Sequence, residues 1–131
     1  MNGKFTLREI RDTLFISRKT VQGYEKHNLV RSCGKDHYGH LIYDEDVMKR
    51  IIKIRFYQEL GFTLKEIEIL IDGDEKQIKD AIVNKKTEIS KKIYLLKNKQ
   101  KIIESMIKTD SLPDIDYMLK IVKQNNEGGV L

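Results

Sequence analysis

The chain has 131 residues and a mass of 15.4 kDa, which is enough for one compact domain or for a small globular head with an extended appendage. Its residues are 40% hydrophobic and 34% charged, which excludes wholesale disorder, and a net charge of +5 permits a polyanionic partner without requiring one. There is no apolar run of about 18 residues and no apolar core of a signal peptide, so we expect a cytoplasmic protein without a membrane partner. Cys33 is the only cysteine, which excludes an internal disulfide and agrees with that compartment.

Two short helices are predicted at the start of the chain. Thr6 and Glu9 have the spacing of a capping box, in which the two side chains bond free backbone N–H groups of a helix start. Ser17 is a favoured N-cap for a second helix that runs to about Lys26. Apolar residues at helical spacing give these helices an inner side: Leu7, Ile10, Leu14, Val21 and Tyr24. Two short helices joined by a tight turn are typical of a helix-turn-helix.

A β-hairpin is predicted after this pair. Gly34 and Gly39 flank polar residues that favour turns, and the apolar residues 41–43 favour a strand. Residues 28–43 therefore predict a hairpin wing.

Two further helices are predicted to complete this part of the chain. The acidic residues 44–46 suit the positive N-terminal end of a third helix, and Gly61 is a natural stop for it. Thr63 and Glu66 repeat the capping box and open a fourth helix that ends near Gly73.

One long helix is predicted over residues 74–108, which contain no Pro or Gly. A seven-residue apolar repeat within it is typical of a coiled-coil seam, and a lone helix of this kind would leave its stripe uncovered. The opposing positions carry Lys85, Lys92 and Lys99, so the seam would be narrow. We therefore predict a homodimer whose interface contains Ile82, Ile89, Ile93, Leu96, Ile103 and Ile107.

A last amphipathic helix is predicted after Pro113. Its apolar side consists of Ile115, Met118, Leu119 and Val122. Residues 124–131 are predicted to form a frayed tail.

The order of these parts resembles the MerR-type transcriptional regulators over roughly residues 4–108. The matching residues lie in the recognition segment, the wing and the second helix pair: Ser17, Thr20, Val21, Tyr24-Glu25-Lys26, Leu29-Val30, Gly39, Tyr43, Leu60-Gly61-Phe62-Thr63-Leu64 and Glu66-Ile67. The resemblance implies a mainly α fold: a winged helix-turn-helix head of about four helices and a β-hairpin wing, then a long antiparallel coiled-coil dimerisation helix and a short C-terminal helix. We accordingly expect a DNA-binding domain over residues 1–73, a dimerisation helix over 74–108 and an effector or tail region over 109–131.

Two motifs depart from the family's usual pattern. The family's Arg-Tyr-Tyr-Glu reads Gln22-Gly23-Tyr24-Glu25 here, and its wing motif Gly-Tyr-Arg-x-Tyr reads Gly39-His40-Leu41-Ile42-Tyr43. Charged phosphate contacts contribute much of the affinity for DNA, so other cations would have to compensate. Such cations are present on and near the second helix: Arg18, Lys19, Lys26, Arg31 and Lys35.

The helix that begins at Ser17 is the predicted DNA reader. Its N-terminal N–H groups favour phosphate, and its long side chains would reach base edges in the major groove. The predicted DNA-contacting residues are Ser17, Arg18, Lys19, Thr20, Gln22, Tyr24, Lys26, Arg31, Lys35, His40 and Tyr43. Alternatives stay open at this stage, since residues 17–20 are also compatible with a solvated helix start, Gln22 with plain polar surface, and Tyr24 with a core position.

Other site types find less support. Cys33, His37 and His40 offer three zinc-type ligands where structural sites use four, so neither a metal nor a cofactor is expected. Four residues at helical spacing could line a small-molecule pocket or form dimer core: Tyr94, Met106, Tyr117 and Met118. No glycine-rich phosphate loop, catalytic triad or paired carboxylate motif occurs, so an enzyme is not expected.

The sequence and the resemblance together predict a homodimeric regulator that binds double-stranded DNA. A two-fold protein predicts a near-palindromic site. The resemblance implies that the dimer bends and untwists promoter DNA, with RNA polymerase as a partner at the promoter and an unidentified small molecule as a candidate effector. The alternatives are a dimeric protein-binding adaptor that retains the fold, and a ligand-responsive repressor.

Overall fold

The computed structural model describes residues 3–127, which are mainly helical with one small antiparallel sheet. The elements in chain order are β1 (Lys4–Thr6), α1 (Leu7–Leu14), α2 (Arg18–Lys26), β2 (Gly34–Lys35), β3 (Leu41–Asp44), α3 (Glu45–Glu59), α4 (Leu64–Asp72), α5 (Glu75–Thr109) and α6 (Ile115–Glu127). The chain divides into two compact units, one up to Lys85 and one from Lys86 onward, and the division falls within α5. The three domain ranges expected from the sequence stay a prediction.

The predicted helix starts are confirmed by the caps. The Thr6 hydroxyl accepts from the Glu9 backbone N–H at 3.2 Å, and the Thr6 backbone N–H donates back to the Glu9 carboxylate. Thr63 and Glu66 form the same reciprocal pair at the start of α4, with the Thr63 N–H donating to Glu66 Oε1 at 2.8 Å. The Ser17 hydroxyl accepts from the Thr20 N–H at 3.1 Å and caps α2. Each cap satisfies donors that a helix start would otherwise leave unpaired.

The wing belongs to a three-stranded sheet with the order β1-β3-β2. β3 is the central strand, with Phe5 opposite Tyr43 in its pairing with β1 and Lys35 opposite Leu41 in its pairing with β2. The hairpin of β2 and β3 was predicted, whereas β1 was not. Because β1 ends at Thr6, the residue that caps α1, the sheet determines where α1 begins.

One apolar core holds the first unit together. Its most deeply buried side chains come from α1, α2, β3, α3, α4 and the segment after α2: Ile10, Val21, Tyr24, Leu29, Val30, Tyr43, Met48, Ile51, Ile54, Ile67 and Leu70. Burial of one such side chain contributes about 1.5–3 kcal/mol. The predicted inner residues Ile10, Val21 and Tyr24 are each 0% exposed.

Lys85 is a correction to the sequence analysis. It was predicted on the side of the long helix opposite the seam, yet only 6% of its surface is exposed. Its Nζ donates to the Gly61 carbonyl at 3.1 Å and to the Glu66 carboxylate at 3.2 Å, and it lies 5.2 Å from the centre of the Phe62 ring. These polar partners compensate the cost of burying an ammonium group. Lys85 thus ties α5 to the connection between α3 and α4.

The second unit contains the rest of α5 and the helix α6. The predicted long helix and the last amphipathic helix are both present. The predicted tail is wrong for residues 124–127, which continue α6, and residues 128–131 lie outside the described residues. Of the helices in the described part of the chain, none has the length and apolar character needed to span a bilayer.

Glu66 makes stability depend on pH in the acid range. The Thr63 backbone hydrogen bond, and after it the hydrogen bond and charge of Lys85, hold the pKa of Glu66 below its ordinary 4.5. A carboxylate whose pKa is lower in the folded than in the unfolded chain stabilises the fold above the unfolded value, and that contribution disappears as the pH falls through the folded value. We therefore expect the free energy of unfolding to fall as the pH decreases past the ordinary value of 4.5.

Urea unfolding at a series of pH values measures this effect. Glu66→Gln should flatten the decline, whereas Glu104→Gln, at an exposed site on α5, should leave it as in the wild type. Parallel curves for the wild type and Glu66→Gln would contradict the assignment.

Candidate nucleic-acid interface

Helix α2 has a charged side and a buried side. At about 100° of rotation per residue, four polar side chains fall within an arc of about 100° on this helix. They are Arg18, Lys19, Gln22 and Lys26, and all four are exposed. Val21 and Tyr24 lie on the opposite side and are fully buried. The helix is therefore anchored by two apolar residues and presents three cations and an amide outward.

The first turn of α2 is held by its own side chains. The hydroxyls of Ser17 and Thr20 lie 2.9 Å apart, and the Ser17 oxygen also accepts from the Thr20 N–H. No acidic residue occupies this turn. The backbone N–H groups and the positive end of the helix dipole therefore add to the charges of Arg18 and Lys19.

The wing turn is shaped by Asp36. Its carboxylate accepts from the backbone N–H groups of Tyr38 and His40, each at 2.9 Å, and Gly39 adopts a φ of 80° that side chains rarely tolerate. The hydrogen bond from the His40 N–H is the main cause that holds the pKa of Asp36 below its usual value. The turn leaves the side chains of Tyr38 and His40 exposed at the wing.

Two tyrosines predicted to contact DNA lie in the core. Tyr24 and Tyr43 are each 0% exposed; the Tyr24 hydroxyl donates to Gln58 and the Tyr43 hydroxyl donates to Glu25. Burial raises the pKa of both phenols, and the hydrogen bond to Glu25 raises that of Tyr43 further. Both hydroxyls thus have hydrogen-bond partners inside the protein. Their predicted contact with DNA stays a prediction, while in the structure they connect α2 and the wing to the core.

The other predicted contact residues are at the surface. Arg31, Lys35 and His40 are exposed, on the segment after α2, on β2 and at the wing turn. Cys33 is also exposed, and its backbone N–H donates to the Ile42 carbonyl at 2.8 Å beside the wing. Among residues 3–127, no group of three His, Cys, Asp or Glu side chains is arranged to hold a metal ion.

Sequence reasoning missed a basic groove beside α2. It lies between α1, the start of α2 and the wing, and has a volume of about 530 Å³. Its lining includes Arg8, Arg11, Arg18, Gly39, His40 and Leu41. We refer to it as the arginine groove. The sequence feature that could have indicated this groove is the pair Arg8 and Arg11, which are exposed and three residues apart on a short helix.

Phe15 is a second feature that the sequence analysis did not single out. It ends α1 with a φ of 54°, in the left-handed region, and 91% of its surface is exposed. A phenylalanine there gains nothing from burial and adopts a backbone conformation that is unfavourable for L-residues. It lies in the turn directly before Ile16 and the α2 cap.

The predicted dimer residues are uncovered in the single chain. The exposed fractions of the six residues on α5 lie between 41% and 74%. In the second unit, a cleft of about 390 Å³ is lined by Met106 and Tyr117 together with residues of the turn after α5. Tyr94 and Met118, the other two candidate pocket residues, do not line it.

The winged helix-turn-helix defines a class of DNA-binding domain, and comparison with known proteins agrees with it. Residues 5–74 match the family described as MerR HTH family regulatory protein. The mercuric resistance operon regulatory protein of Bacillus cereus is 30% identical over 106 residues, which are 76% of this chain and 80% of that protein. The HTH-type transcriptional activator mta of Bacillus subtilis is 27% identical over 106 residues, and only 38% of its length is covered.

A solved structure has the same fold. It is that of HiNmlR, a MerR family regulator lacking the sensor domain, bound to promoter DNA; it superposes with a TM-score of 0.58 at 22% identity and covers 80% of this chain and 84% of that one. The chain belongs to the MerR family of helix-turn-helix regulatory proteins and is a DNA-binding transcriptional regulator.

Gly23 provides a test of how α2 is built. A Cβ added at Gly23 would meet no heavy atom within 4 Å, and the residue lies inside a helix. Because alanine restricts the unfolded chain more than glycine does, we expect Gly23→Ala to stabilise the fold by about 0.5–1 kcal/mol, as measured by urea unfolding.

Gly61→Ala is the matched control. Gly61 has a φ of 92°, which strains any L side chain although the space is open, so this variant should lose stability. A loss of stability in Gly23→Ala as well would mean that α2 does not tolerate a side chain at this position.

Proposed function

We propose that the protein acts as a homodimer on a near-palindromic promoter site, with α2 of each protomer in a major groove and the wing over the adjacent backbone. The observation that carries this proposal is the division of α2 into a buried side and an exposed arc of cations. Arginine and lysine suit phosphates and guanine edges, and Gln22 suits adenine. Most regulators that dock a helix in this way read bases from its N-terminal half, where Arg18, Lys19 and Gln22 lie.

The dimer is supported by the uncovered apolar stripe of α5. Ile82, Ile89, Leu96 and Ile103 recur every seven residues and are each more than 40% exposed. A helix of 35 residues with such a stripe is expected to pair with a second helix. A closed two-fold pair is the commonest arrangement of identical chains, and it would give the assembly two symmetry-related copies of α2.

Promoter distortion and contact with RNA polymerase complete the proposal. Family membership supports a dimer that bends and untwists the promoter so that transcription begins. The relatives are named as regulators and activators of transcription, which agrees with a chain that has no catalytic activity of its own. The mercuric resistance in the name of the Bacillus cereus relative is not part of the proposal, because the chain offers one soft sulfur ligand of the cysteine type, Cys33.

Selection of genomic fragments by the purified protein tests DNA reading. The wild type should enrich a near-palindromic site at moderate salt, and Arg18→Ala/Lys19→Ala should lose that enrichment because it removes two cations from the start of α2. Lys120→Ala/Lys123→Ala removes the same charge from α6 and should enrich the same site as the wild type. Enrichment of no fragment over competitor DNA by the wild type would favour the alternative, a protein-binding adaptor.

Sedimentation at micromolar concentration tests the dimer. The wild type should sediment as a dimer, and Ile89→Lys/Leu96→Lys should sediment as a monomer because two ammonium groups would face the seam. Asn98→Lys/Lys99→Asn on the same helix is a control that preserves the charge and leaves the apolar stripe intact. A monomeric wild type would refute the homodimer.

A further inference from the structure

The arginine groove brings together cations from two helices and the wing. Arg8 and Arg11 come from α1, Arg18 is the first residue of α2, and Gly39 and His40 belong to the wing turn. No acidic residue is part of the lining. The groove therefore concentrates three permanent positive charges, and an imidazole, around one open space.

Both arginines of α1 lie on the side of the helix that lines the arginine groove. Arg8 and Arg11 are three residues apart and so lie on neighbouring turns of one helix face. Ile10, on another side of the same helix, is fully buried and anchors α1 to the core. The Thr6 cap at the end of β1 determines the start of α1, so the two guanidinium groups are presented from a defined backbone.

In the described part of the chain, no carboxylate lies within salt-bridge distance of these arginines. Two carboxylates of the same region already have partners, since Glu9 caps α1 and Asp36 accepts from two N–H groups of the wing and lies 3.7 Å from His40 Nδ1. Like charges held close together repel, and an anion placed among them relieves that repulsion.

We propose that the arginine groove binds the phosphate backbone of the operator DNA, with Arg8 and Arg11 as contact residues outside the recognition helix. This inference rests on the proposed function, because it takes α2 to be seated in the major groove. Arg18 belongs both to the exposed arc of α2 and to the groove lining, so a strand that passes α2 continues into the groove. The guanidinium fork matches phosphate oxygens in two-point hydrogen bonds.

The position of the wing strengthens the assignment to a phosphate backbone. Leu41, which follows His40 on β3, lines the groove without a charge, so the wing brings no permanent cation to it. Arg8 and Arg11 provide from α1 the positive charge that the wing strand lacks. Residues that read bases lie on the helix that enters the major groove of the DNA, whereas phosphate contacts come from the elements that flank this helix.

The test compares salt dependence between variants. Binding of the selected operator duplex and of a random duplex is measured by fluorescence anisotropy across a range of salt concentrations. Each lost phosphate contact reduces the slope of log K against log salt by about 0.9, and Arg8→Gln/Arg11→Gln removes four contacts from a dimer, so it should reduce the slope by roughly 3.6 and weaken binding by more than about tenfold at moderate salt. The loss should be similar on both duplexes, because phosphates carry no sequence information.

Lys76→Gln/Lys79→Gln is the matched control. It removes the same net charge with the same three-residue spacing, from exposed positions on α5 that do not line the groove. The control should keep the wild-type slope. Urea unfolding of both variants should match the wild type, since all four side chains are exposed.

The outcomes separate this inference from the proposed function. Wild-type binding of the operator with a steep salt slope, together with an arginine variant that behaves like the lysine control, would overturn the groove assignment and leave DNA reading by α2 intact. A wild type that prefers no duplex would refute the proposed function itself. If the arginine variant matches the wild type on both duplexes but loses binding of inorganic phosphate that the wild type shows in calorimetric titration, the groove binds a free anion and the inference is also overturned.

Discussion

The hydrogen bond from Tyr43 to Glu25 joins the three elements of the proposed DNA-binding surface. Tyr43 lies on the central strand β3, opposite Phe5 of β1, and its hydroxyl donates to a carboxylate on α2. A hydrogen bond to a charged group stabilises by about 1.5–3 kcal/mol. Burial raises the pKa of Tyr43, so the phenol stays a neutral donor over the ordinary pH range. Through β1 and its cap at Thr6, the same strand also determines the start of α1.

This arrangement assigns separate roles to acidic, apolar and basic residues of the head. Glu25 is the only acidic residue on α2, and its bond to Tyr43 turns it toward the protein. Val21 and Tyr24 provide the apolar contact that holds α2 in place. The cations therefore have no competing carboxylate within the exposed arc, and internal packing holds the backbone of this positive face before binding, so that only the exposed side chains become ordered.

Local patterns in the sequence predicted most helices, because caps and apolar spacing are local signals. The two capping boxes at Thr6 and Thr63 and the absence of Pro and Gly from residues 74–108 correctly predicted α1, α4 and α5. β1 was missed since three residues become a strand only through pairing with β3, which lies almost forty residues away. Lys85 was misplaced for the same reason, as its partners Gly61 and Glu66 are distant in sequence. The arginine groove is likewise assembled from three elements that are separate in the sequence, so no contiguous sequence motif predicts it.

The single cysteine gives this protein a built-in attachment point. Cys33 is exposed next to the wing, and no other cysteine occurs in the chain. A thiol-reactive fluorophore would therefore modify one known position without any substitution, at the edge of the surface proposed to approach DNA. Changes in its emission would report the seating of the wing on a duplex in real time, independently of any transcriptional readout.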